Sequence, residues 1–149
     1  MESITLLAIG PDGTVDDPAV SLDGIPAAVC GATADMYRST GFKPPWIGYL
    51  AAAEGRVVGT CAFKSAPSDG TVEIAYFTFP GHEGQGVATT MARQLIDLAY
   101  ATDRSLKIIA HTLPVRNASN AVLQKLGFLL LGDYEDPTDG TVWEWEYIR

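Results

Sequence analysis

The segment that most narrows the fold spans residues 71–102, where a strand pattern runs through a cluster of glycines directly into a helix pattern. From Thr71 to Phe79 the side chains alternate between two sets and favour aromatic and β-branched types, as a half-buried strand requires. Pro80-Gly81-His82-Glu83-Gly84-Gln85-Gly86 follows. Beyond it, Val87, Met91, Leu95 and Leu98 form an apolar stripe at helical spacing, with Ala88, Ala92 and Ala99 beside it. The first N–H groups of a helix lack internal partners and carry the positive end of its dipole. Glycines let the backbone come close to a bound anion, so such a loop can hold a pyrophosphate with no basic side chain. The same pattern also serves as a tight strand-to-helix turn. Two other phosphate loops are excluded. There is no Gly-Lys-Ser/Thr, and the loop comes late in the chain without the spaced second glycine and ribose-binding acid of a dinucleotide fold.

The rest of the chain fits around this unit. An apolar run at residues 4–9 ends in Gly10-Pro11-Asp12-Gly13, a strand and its turn. Residues 18–39 read as mainly helical through Val29, Ala32 and Met36, with Gly24-Ile25-Pro26 as an early interruption. Residues 47–54 and 57–64 form a hairpin about Gly55, and residues 105–112 a further strand. Asn117 or Ser119 can cap a short helix that Gly127 stops. Residues 128–134 and 141–148 are two strands joined by Asp136-Pro137-Thr138-Asp139-Gly140. In the last strand Trp143, Trp145 and Tyr147 share one face, and Glu144 and Glu146 the other. The order β, helical region, βββ, α, β, α, ββ describes one α/β unit, residues 1–149, with a mostly antiparallel sheet and one strand–helix–strand crossover.

Charge and cysteines remove other classes. With 10 Lys and Arg against 18 Asp and Glu, the net charge of −8 opposes nucleic-acid binding, which needs clustered cations. An acidic surface attracts a cationic amine, and equally it aids solubility. Cys30 and Cys61 are far apart with no metal-ligand spacing, so no metal site is expected; buried thiols in a reducing cytosol are. No stretch approaches the ~20 apolar residues of a membrane helix, and the start lacks the basic region of a signal peptide. A cytoplasmic location is expected.

Three blocks carry a resemblance. They are Glu73-Ile74-Ala75-Tyr76, then Glu83-Gly84-Gln85-Gly86-Val87-Ala88-Thr89, then Asn117-Ala118-Ser119-Asn120-Ala121-Val122-Leu123-Gln124-Lys125-Leu126-Gly127-Phe128. In this order and spacing, over roughly residues 46–146, the chain resembles the GNAT superfamily of N-acetyltransferases, and within it the ribosomal-protein-acetyltransferase-like group. The resemblance implies a mixed, mostly antiparallel sheet with flanking helices and a central, splayed parallel strand pair. Acetyl-CoA is the implied co-substrate. Its pantetheine would lie along Phe77, Thr78 and Phe79, with Asn117 on the other side. Its pyrophosphate would lie on the loop and helix start formed by Glu83, Gly84, Gln85, Gly86, Val87, Ala88 and Thr89.

The resemblance also supplies the chemistry. A primary amine is mostly protonated at neutral pH and must lose a proton before it attacks. Glu73 matches the superfamily's catalytic glutamate, and its alternative reading is a plain solvent-facing strand residue. A strand N–H near Phe77 or Thr78 would stabilise the oxyanion. Ser119 matches a serine of some relatives and could relay a proton to the leaving thiolate; otherwise it caps the helix. Two positions depart from the pattern: Glu83 stands where Gln or Arg is usual, and Leu123 stands where many relatives carry an acid tyrosine. Trp46, Tyr49, Phe42 and Tyr76 are candidates to line an acceptor pocket, while Trp143 and Trp145 read as structural. The expected function is acetyl transfer to a primary amine, either a protein N-terminus or a small molecule. The alternative is a non-catalytic acyl-CoA-binding or protein-interaction module on the same scaffold. A longer acyl group than acetyl is a third option, and sheet edges or the C-terminal strands offer a route to a homodimer.

Overall fold

The computed structural model of the chain describes residues 3–17 and 22–148. Its elements are β1 (Thr5–Ala8), α1 (Gly24–Thr40), β2 (Gly48–Ala53), β3 (Arg56–Phe63), β4 (Thr71–Thr78), α2 (Val87–Thr102), β5 (Lys107–Thr112), α3 (Ala118–Leu126), β6 (Phe128–Asp136) and β7 (Gly140–Tyr147). This is the order expected from the sequence, with ends shifted by a few residues. Residues 18–21 of the expected first helix lie outside the described residues. Gly24-Ile25-Pro26 does not interrupt that helix but forms its first turn behind the N-cap Asp23. A proline is tolerated there because the first-turn N–H groups have no acceptor anyway.

One mixed sheet runs β1-β2-β3-β4-β5-β7-β6. Every neighbouring pair is antiparallel except β4–β5. That pair is parallel because α2 carries the chain back across the sheet between them. The helix buries Val87, Met91, Ala92, Leu95, Ile96 and Ala99. Leu98, placed in the stripe by the sequence, sits half-buried at the rim, and Ile96 takes the core position. Cys61, Phe63, Val72, Ile74, Ile108, Ala110 and Trp145 belong to the same core. At roughly 1.5–3 kcal/mol per large apolar side chain, this face is the main source of stability. Trp145 Nε1 donates to Thr112 Oγ1 at 3.0 Å, which supports the structural reading of that tryptophan.

The opposite face is covered by α1. Tyr37 ties it down, donating to the Ile9 carbonyl at 2.8 Å and accepting from Gly48 N at 2.9 Å. Cys30 joins Ile9, Leu50 and Phe79 in a second, smaller core. Both cysteines are free and buried. Among the described residues no helix is long and apolar enough to cross a membrane.

Candidate active site

The parallel ladder between β4 and β5 is short. It pairs Thr71↔Lys107, Val72↔Ile108, Glu73↔Ile109 and Ile74↔Ala110, and then it stops. Beyond it β5 stays with β7, through His111↔Glu144 and Thr112↔Trp143, while β4 stays with β3 as far as Gly59↔Thr78. The two central strands therefore part after Ile74, the splay that the resemblance implies. Backbone parity decides what faces the gap. In a strand, each residue's N–H and C=O point to one side and its neighbour's to the other. The Glu73 carbonyl accepts from Lys64 N at 2.9 Å and Phe79 N donates to the Val58 carbonyl at 2.9 Å, so the odd-numbered residues turn to β3. Tyr76 and Thr78 then present their backbone to the gap. Of the two oxyanion donors expected from the sequence, parity leaves Thr78, adds Tyr76 and turns Phe77 away.

A cavity of about 420 Å³ opens at this point, lined by Tyr76, Phe77 and Thr78 of β4, by His82, Glu83, Gly84 and Gly86, by Val87–Thr89 of α2, and by Ala118, Ser119, Val122 and Lys125 of α3. The start of α2 carries no side-chain cap. Gly86 is the N-cap with φ +80°, a left-handed conformation suited to glycine. The leading N–H groups of Val87, Ala88 and Thr89 thus face the cavity without competition from a capping oxygen. Glu83 remains on the cavity wall as a carboxylate. Its Oε1 accepts from Gly81 N at 2.7 Å, and bonds from its own N–H and that of Gly81 hold its pKa below the usual carboxylate value.

Other expected residues lie elsewhere. Phe79 is buried in the smaller core, its ring tilted on Phe77 at 5.8 Å. Gln85 lines a different cavity, of about 460 Å³, with Ile4, Arg56 and His82. Asn117 is spent as the N-cap of α3, its Oδ1 accepting from Asn120 N at 3.2 Å. Ser119 is therefore free of capping, and its Oγ donates to the Tyr76 hydroxyl at 3.2 Å. Tyr76 in turn donates to the Ser119 carbonyl at 3.1 Å. Burial raises the Tyr76 phenol above its ordinary pKa, with the Ser119 bond opposing, so it stays protonated and able to donate. Leu123 is fully buried in the core.

On the other face of β4, a groove of about 300 Å³ runs between the strand and α1. Val29, Ala32, Thr33 and Met36 form one wall, Thr60, Cys61, Ala62, Ala75, Tyr76 and Phe77 the other. The apolar face of α1 thus lines a groove more than it fills the core. The hydroxyls here are engaged, Thr33 with the Val29 carbonyl and Thr60 with the Tyr49 carbonyl, each at 2.8 Å. Of the aromatics expected to line an acceptor pocket, Tyr76 borders this groove. Trp46 packs edge-on against Phe63, Phe42 against Tyr37, and Tyr49 is buried with its hydroxyl on the Pro45 carbonyl. Tyr76 and Phe77 border both cavities, so the two spaces approach each other across β4 where β5 has left it.

Glu73 shares the groove's face of β4, two residues before Ala75. Its Oε2 lies 3.3 Å from Lys64 Nζ and 3.3 Å from His111 Nδ1. No motif in the sequence marks His111, whose Nε2 lies 3.0 Å from Glu144 Oε2 and whose ring stacks on Tyr134 at 4.8 Å. Strand alternation places His111 on a known face of β5, but which carboxylates stand beside it depends on pairing register. Among the described residues no group of His, Cys, Asp or Glu is arranged to hold a metal.

A mixed sheet with a parallel pair that splays beside an uncapped helix start fits the acetyltransferase class that the three sequence blocks resemble. The chain belongs to the acetyltransferase (GNAT) domain family, whose model matches residues 18–129. A zebrafish (Danio rerio) N-acetylaspartate synthetase is 32% identical over 91 residues, covering 60% of this chain and 32% of that protein. The chain thus spans about a third of the length of that relative. Microcin C7 self-immunity acetyltransferase MccE, solved with acetyl-CoA and AMP, superposes with a TM-score of 0.70 at 15% identity, covering 100% of this chain and 94% of that one. A spermidine N-acetyltransferase chimera of Vibrio cholerae SpeG and hSSAT gives 0.69 at 16% identity, covering 97% and 95%. At these identities the structures speak for the fold.

Proposed function

We propose that this protein transfers an acetyl group from acetyl-CoA to a primary amine, the 149 residues acting as one catalytic unit. One observation carries the reading: a cavity with an uncapped helix start and an apolar groove approach each other from opposite faces of the sheet at Tyr76 and Phe77. A thioester donor and an amine can then enter from different sides. The N–H groups of Gly84 and of Gly86–Thr89 bind the pyrophosphate, and the gap-facing backbone of Tyr76 and Thr78 pairs with pantetheine amides. Glu73 takes the proton from the ammonium, directly or through a water. The nitrogen attacks the thioester carbon, the Tyr76 or Thr78 N–H stabilises the oxyanion, and the C–S bond breaks. Ser119 and Tyr76 sit beside the leaving sulfur's expected path and supply the hydroxyls that Leu123 does not.

The groove favours an acceptor with an apolar body, whether a small amine or the first residues of a protein N-terminus. Calorimetry with coenzyme A and thiol release from acetyl-CoA across an amine panel test the reading. Heat together with release supports it, and no heat with coenzyme A removes it. A second reading, a binding module without turnover, is favoured by the buried Leu123 at the usual acid position. Heat without release from any amine would decide for it.

A further inference from the structure

His111 stands on the first rung of β5 beyond its pairing with β4, at the mouth of the gap. Its two ring nitrogens face two carboxylates, Glu73 at 3.3 Å and Glu144 at 3.0 Å. The groups around it come from four parts of the chain. Glu73 is on β4, Lys64 follows β3, Glu144 is on β7, and β6 supplies the stacked Tyr134 and Asp136, whose pKa is lowered mainly by the Asp139 and Thr138 N–H groups and in lesser part by Lys64 and His111. The His111 side chain is only 10% exposed, so water does little to satisfy the ring.

An ionised carboxylate only accepts hydrogen bonds, so both contacts are bonds at once only when the ring carries two protons. In that state Glu73 is held by the imidazolium and by Lys64 together, which weakens it as a base. A neutral ring with its proton on Nε2 donates to Glu144 and leaves the Nδ1 lone pair facing Glu73. A proton arriving on Glu73 then has an acceptor 3.3 Å away. Imidazole is the side chain suited to gain and lose a proton near neutral pH.

On the reading that the protein acetylates an amine, we propose that His111 is a positioning residue that stores the proton Glu73 takes from the acceptor ammonium. The steps balance. The ammonium gives one proton to Glu73, which passes it to Nδ1, leaving Glu73 ionised and the ring an imidazolium held by Glu144. The free amine forms the C–N bond as the C–S bond breaks, and its second proton goes to the thiolate. The imidazolium returns its proton to solvent before the next turnover. A ring that already carries both protons cannot take another.

The test compares kcat and KM against pH for the wild type and His111→Gln, using thiol release from acetyl-CoA with one saturating amine. Glutamine keeps a donor for one of the two carboxylates but cannot titrate. The expected result is a fall in kcat of about 10²-fold or more at neutral pH. The KM for acetyl-CoA stays unchanged, and the acid-side limb changes shape. His111→Ala gives a second arm, because added imidazole should restore part of its kcat. Wild-type kcat and an unchanged pH profile in His111→Gln overturn the proposal while leaving the acetyltransferase reading intact. Absence of turnover in the wild type with every amine refutes both.

Discussion

Gly59→Ala probes how rigidly the sheet holds the reacting groups. Gly59 lies on β3 beneath α2, opposite Thr78. A Cβ built there would lie 2.8 Å from the Phe77 carbonyl oxygen, 3.0 Å from Met91 Cε and 3.1 Å from Met91 Sδ. The methionine end can swing aside, but the carbonyl belongs to the backbone of the neighbouring strand. Reaching ordinary contact requires β3 and β4 to separate by roughly half an ångström at that point. Overpacking of this kind costs about 1–3 kcal/mol. For a chain of this length that is a fall in Tm of about 2–12 °C, read by calorimetry or circular dichroism. The same shift moves Phe77, where the two cavities approach. Since a misplacement of about 1 Å can cost on the order of 10²-fold, half of that predicts a roughly tenfold loss of kcat in protein that is still folded. Unchanged Tm would refute the packing argument. A lower Tm with wild-type kcat would refute the claim that the seating of β4 against β3 positions the reaction.

Glu73→Gln keeps the shape of the side chain and removes its charge. It should lower kcat by about 10²- to 10⁴-fold in the thiol-release assay with coenzyme A affinity unchanged. Because Lys64 is 46% exposed, losing the ion pair should change stability by less than about 1 kcal/mol. Retention of full activity would rule out the base assignment. Acid stability follows from three exposed carboxylates and the half-buried Asp136. Asp12 and Asp103 lie below 3.8 mainly through the Thr14 and Ser105 hydroxyls, Asp136 through the Asp139 N–H, and Glu83 lies below 4.5 mainly through its own N–H. A depressed carboxylate contributes stability above its unfolded value and loses it as pH falls through the folded value. Tm should therefore hold down to about pH 5 and fall below about pH 4. A Tm that stayed level to pH 3 would contradict these bonds.

The order of the ten elements among the described residues could be read from the chain because the signals are local. Alternation at residues 71–79 marked β4, the glycines marked the start of α2, Asn117 or Ser119 offered the cap of α3, which the structure gives to Asn117, and Gly127 ended it in the left-handed conformation. Each depends on residues within a turn of one another, where sterics and hydrogen bonding act without the rest of the fold. The three blocks likewise sufficed to place the chain in its family. What the tertiary structure alone decided was partnership across strands. A period of two says which face a side chain takes, not which residue stands opposite. Hence the end of the β4–β5 ladder after Ile74, the approach of the two cavities at Tyr76 and the setting of His111 between Glu73 and Glu144 emerged only from register.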